Sequence, residues 1–159
     1  MKKEGNKMYE NLFSSLSQVK SKYEEGIEVT EKIFDSLKMN NIKALPPLTT
    51  TQTECMSEIK ISKENLRDTL KNIILKHKID TEDYRIHHIL YLFTQRQKED
   101  VIDLSRLIHT LEVSLQRALY RNQDMLASII NSTQTVVEAA IDYSENEYSE
   151  SQLFLNEKF

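Results

Sequence analysis

The chain has 159 residues with 39% hydrophobic and 29% charged side chains, and a formal net charge of −4. It holds only two Gly, two Pro and one Cys. Sheets and their turns need Gly and Pro, so a many-stranded fold is excluded, and one cysteine excludes an internal disulfide framework or a Cys-based zinc cluster. No apolar run reaches the ~18 residues of a membrane span, and no apolar stretch follows the charged first residues as in an export signal. The expected class is an all-α protein of the cytoplasm.

The first predicted helix covers 8–39. Tyr9, Leu12, Leu16, Val19, Tyr23, Gly26, Thr30, Ile33 and Leu37 step by three and four, a coiled-coil seam with a soft patch at Gly26 and Thr30. Pro46 and Pro47 predict a turn, after which Thr49, Thr50 and Thr51 offer an N-cap. A second helix over 49–78 carries Met56, Ile59, Lys63, Leu66, Leu70, Ile73 and His77 on the same spacing. The two would pair as a hairpin. Asp80 or Thr81 can cap a short helix over 84–93, which holds Ile86, Ile89, Leu90, Leu92 and Phe93. The polar run 94–100 reads equally as a kink, a loop or a solvated helical turn.

The strongest pattern is last. From Val101 to Tyr143 the three-four spacing is broken only by Asn122 and Ser132, and no Gly or Pro follows position 94. This predicts a helix over 97–145, ~73 Å long. Residues 146–159 read as a flexible acidic tail. The expected architecture is thus an elongated antiparallel helical bundle, a single domain with three long helices and one short one.

Motifs for chemistry are sparse. His87 and His88 are adjacent and point about 100° apart, and no Glu-x-x-His occurs, so no metal site is expected. Cys55 beside Met56 reads as a small core residue. With Gly5 and Gly26 as the only glycines there is no phosphate loop. The lysines and arginines of 60–78 alternate with Glu64 and Asp68, as on a solvated face. No catalytic residue, cofactor or metal is expected, and the chain is not read as an enzyme. Residues 122–159 hold seven acids against Lys158, net −6, leaving 1–121 at +2. That distribution argues against nucleic-acid binding and suits either solubility or a partner with a basic or apolar segment.

Asn122 reads either as a register-fixing polar residue in a packed seam or as part of a partner surface. Met125 and Leu126, Ile129 and Ile130, Val136 and Val137 make the stripe wide. It would contact two neighbours in a bundle or receive an incoming helix.

A long hairpin is followed by the run Ile73-Ile74-Leu75-Lys76-His77-Lys78-Ile79-Asp80-Thr81-Glu82. A leucine-rich helix then carries Arg121-Asn122-Gln123-Asp124-Met125-Leu126. Over roughly 8–143 this layout resembles the FlgN family of flagellar export chaperones. The family often has Asn-x-x-Asn-x-x-Leu-Leu; here Asn122 fits the second Asn and Leu119 stands at the first. The family's Tyr-x-x-x-Gly motif near the end is missing, since no Gly follows Gly26.

The resemblance implies a cytoplasmic chaperone. It would bind hook–filament junction proteins before type III export, mask their terminal helices, and meet export-apparatus components. It places the client surface at about 115–145, on Leu115, Leu119, Asn122, Met125, Leu126, Ile129, Ile130, Val136 and Val137. Two other readings rest on composition and spacing. One is an adaptor that closes a homo-oligomer through the same helix; the other is a helical sensor or enzyme-regulatory bundle.

Overall fold

In the computed structural model the backbone is described for residues 2–156 and side chains for residues 5–144. Three α-helices, α1 (Lys2–Lys38), α2 (Leu45–Lys76) and α3 (Gln95–Asn156), carry the fold, and no strand occurs among the described residues. The chain divides into two compact units, residues 1–120 and 121–159.

In the first unit α1 and α2 form the expected hairpin. Asn40 takes a left-handed conformation (φ 52°), and a single 3-10 turn, Ile42–Ala44, leads directly into α2. The prolines do not precede α2 as expected; they lie in its first turn. Backbone N–H groups there have no helical acceptor, so Pro costs nothing. The threonines are therefore helical, not capping. Thr49 and Thr50 donate to the Pro46 carbonyl and Thr51 to that of Pro47, at 2.9, 3.1 and 3.0 Å.

Lys78, also left-handed (φ 51°), follows the end of α2. The short helix expected over 84–93 is not α-helical. It is two separate 3-10 turns, Ile86–His88 and Leu90–Leu92. Its proposed cap is used otherwise. The Asp83 N–H donates to Thr81 Oγ1 at 3.3 Å and the Thr81 hydroxyl contacts the Asp83 carbonyl at 3.2 Å, a local turn that competes with helix initiation. The segment serves as a strap whose Ile89 and Phe93 are buried.

The 94–100 run resolves as the start of α3. Thr94 and Gln97 form a reciprocal cap: the Thr94 N–H donates to Gln97 Oε1 at 3.1 Å and the Gln97 N–H to Thr94 Oγ1 at 3.4 Å. The backbone of α3 continues as helix through Asn156, so 146–156 of the expected tail lie in it. Residues 157–159 fall outside the described residues, as do the side chains from Glu145 on.

Two apolar clusters build the core of the first unit. One joins Leu12 and Leu16 of α1, Leu70, Ile73 and Ile74 of α2, Ile89 and Phe93 of the strap, and Val101 of α3. The other joins Val19, Tyr23, Ile59 and Leu115, with Leu111 and Leu119 packed against them. The Gly26–Thr30 patch is a tight point of this core. A Cβ on Gly26 would meet Ile59 Cδ1 at 3.2 Å and Leu115 Cδ2 at 3.6 Å. Thr30 is fully buried; its hydroxyl donates to the Gly26 carbonyl at 2.7 Å and accepts from Gln52 Nε2 at 2.9 Å.

Candidate partner-binding surface

The residues singled out from sequence divide by burial. Leu115 is buried in the core of the first unit, and Leu119, half-buried, packs against the same cluster. In the second unit Asn122 is buried at 7% exposure, and Met125 and Ile129 are half-buried. Leu126, Ile130, Val136 and Val137 are exposed, at 44, 49, 68 and 51%. Every residue from 130 to 144 is exposed.

Placed on a helix at about 100° per residue, the apolar side chains of 125–143 share one face about 160° wide. Leu126, Ile130, Val137 and Ile141 run along one side of it and Met125, Ile129, Val136 and Tyr143 along the other. Ile141 and Tyr143 also belong to this face, beyond the client residues that the resemblance implies. Tyr143 lies on the three-four seam, and Ile141 follows Val137 by four positions, a row beside that seam. Asp124, Glu138 and Asp142 lie on the opposite face, and positions 122–144 contain no Lys or Arg. Helices of this pattern bury the apolar side when a second apolar surface is available.

The first unit also carries a polar cluster across all three helices. Tyr23 and Lys63 both donate to Glu112 Oε1 at 2.9 Å, and Lys63 Nζ lies 3.4 Å from the Tyr23 hydroxyl. The Lys63 hydrogen bond, helped by Tyr23, holds the Glu112 carboxyl below its ordinary range against the opposing effect of burial. The same bond raises Lys63, and burial raises the Tyr23 phenol. Each group moves away from neutral pH, opposite to the tuning of an acid–base pair, so the cluster reads as a structural tie.

The histidines are spread out. His77, His87 and His109 are exposed, and His88 is half-buried with its Nε2 against Asp83 Oδ1. Partial burial pushes Asp83 up, but hydrogen bonds from His88 and Thr81 and the Arg85 charge outweigh it and hold the carboxyl low. Among the described residues no three His, Cys, Asp or Glu converge as a metal site would need. Cys55 is buried, and burial together with the charges of Glu25 and Glu58 raises its thiol, as befits a core residue. Among the described residues no helix is long and apolar enough to cross a membrane.

No protein-family model, curated protein or solved structure matches this chain.

Proposed function

We propose that this protein is a non-enzymatic export chaperone. It holds a helical segment of a client protein, of the hook–filament junction type, in the cytoplasm before delivery to a flagellar type III apparatus. The observation that carries the reading is the exposed apolar face of α3 between Leu126 and Tyr143. An amphipathic helix recognises another by laying apolar side chains together at i, i+3, i+4 and i+7, and this face offers that spacing. Leu126, Ile130, Val137 and Ile141 are already about half covered, so burying the rest supplies roughly 1 kcal/mol each before the costs of association. The layout shared with the FlgN family supplies the client class; the exposed face supplies the mechanism.

The test is capture of partners from native extract with the full chain and with an Ile130→Asp/Val137→Asp variant, compared by mass spectrometry. The expected result is junction-type clients retained by the first and lost by the second. A self-association closed by this same face, with no client, would place the protein among structural adaptors instead.

A further inference from the structure

Between α2 and α3 the chain carries no helix breaker, since no Gly or Pro follows Pro47. The apolar seam of α3 also runs backward into the strap without a gap. Val101, Gln97, Phe93, Leu90 and Ile86 step by four and three, and only Gln97 among them is polar. Residues 86–93 nevertheless form two three-residue 3-10 turns, whose hydrogen-bond geometry is poorer than that of an α-helix. Where local pattern and observed structure conflict, contacts outside the segment hold it. Ile89 and Phe93 are buried in the cluster of Leu12, Leu16, Leu70, Ile73, Ile74 and Val101. Asp83 fastens the other end of the strap. It accepts from the Thr81 hydroxyl at 3.1 Å and from Arg85 Nε at 2.9 Å, and it meets His88 Nε2.

We infer that the strap is a releasable cover on this cluster, and that it leaves by joining the N-terminus of α3 as helix. Phe93, extended at φ −105° and ψ 156°, is the residue that must turn helical, and the Thr94–Gln97 cap stops α3 beside it. Chain length permits the change. Starting the helix at Ile86 adds nine residues to α3, about 14 Å, and the nine residues 77–85 span up to about 30 Å when extended, so α2 need not move. Release uncovers Leu12, Leu70 and Ile74 and carries Ile86, Leu90 and Phe93 onto a longer α3 seam. The device lies within the first unit and does not depend on the exposed face beyond Leu126.

The test is a matched pair of substitutions at Thr94, which is exposed. Thr94→Ala and Thr94→Pro both remove the hydroxyl cap. Only Pro forbids helix through 94, and the extended Phe93 already suits a following Pro in the closed strap. Both are placed in the full chain carrying Cys55→Ala and Ile89→Cys, so that one thiol, buried while the strap is closed, reports release to dithionitrobenzoate. At low urea, where the rate does not follow global unfolding, the thiol reacts at least about tenfold faster with Thr94→Ala than with Thr94→Pro. Equal rates in the pair, or rates that follow global unfolding throughout, overturn the inference, because the strap then frays or melts without becoming helix. Ile89→Asp in the otherwise unchanged chain gives a second measurement. It expels the strap, and the Cα chemical shifts of 86–93 move to helical values; coil values in that folded variant overturn the inference.

Discussion

The Tyr23 hydroxyl donates a 2.9 Å hydrogen bond to Glu112 Oε1 across 89 positions of sequence, joining α1 to α3. Lys63 reaches the same oxygen from α2, so one carboxylate ties the three helices of the first unit. Tyr23 also belongs to the second apolar cluster, with Val19, Ile59 and Leu115, so the polar tie sits at the edge of that packing.

Acid should loosen this tie. The folded pKa of Glu112 lies below the ordinary 4.5, so its contribution is complete above that value and disappears as pH falls through the lowered one. Lys63 stands above 10.5, and its contribution is complete below that value and disappears as pH rises through the folded one. Glu112→Gln should cost about 1 kcal/mol at pH 7. Urea midpoints of the variant should also vary less than those of the parent below the carboxylate range. Equal acid slopes for the two proteins would assign the pH dependence to other groups.

Gly26 faces two opposing effects. Alanine gains about 1 kcal/mol of helix propensity, but its Cβ must displace Ile59 Cδ1, the far end of a flexible side chain. Gly26→Ala should therefore stay within about 1 kcal/mol of the parent, whereas Gly26→Leu should lose about 2 kcal/mol or more through overpacking against Ile59, Met56 and Leu115. Thermal melts of the two variants separate tight packing from mere helix flexibility. A neutral Gly26→Leu would show that the helices move apart freely here.

Cys55 should be inert while the protein is folded. It is buried and its thiol is raised, so little thiolate is present at neutral pH. A thiol reagent such as dithionitrobenzoate should react slowly with the native chain and at once in denaturant. Prompt reaction without denaturant would show that α2 opens around this position.

The seams of α1 and α2 were legible because apolar spacing reports the buried face directly. Leu12, Leu16, Val19 and Leu70 are all core. Gly26 and Thr30 looked soft because periodicity scores hydrophobicity, whereas close approach and a buried hydroxyl with two partners are invisible to it. The prolines misplaced the start of α2, since sequence alone does not separate a Pro that ends a loop from one in a first helical turn. In sequence the strap reads as α-helix because Ile86, Ile89, Leu90 and Phe93 step by three and four; the structure forms short 3-10 turns, in which only the steps of three align. For the candidate surface, one continuous stripe from Leu115 to Val137 was visible. Its division into buried Leu115 and exposed Ile130 was not, because that depends on what lies opposite each residue in space.

That division gives the decisive pair of variants. Leu115→Asp places a carboxylate among Val19, Tyr23 and Ile59, with no cation among those cluster members to meet it. The cost is several kcal/mol, comparable with the whole stability of such a unit, so this variant should unfold or melt far below the parent. Ile130→Asp with Val137→Asp changes two side chains that are each about half in water, at 49 and 51% exposure. It should retain the parent's circular dichroism and melting temperature to within a few degrees and lose client binding. Amide exchange gives a second view. Residues 101–118 should exchange slowly with the core, and 126–144 quickly in the free protein, slowing when a client covers the face. If the Ile130/Val137 variant unfolds as completely as Leu115→Asp, or if 126–144 exchange as slowly as 101–118 with no partner present, this face is core and the proposed chaperone function has no surface to work with.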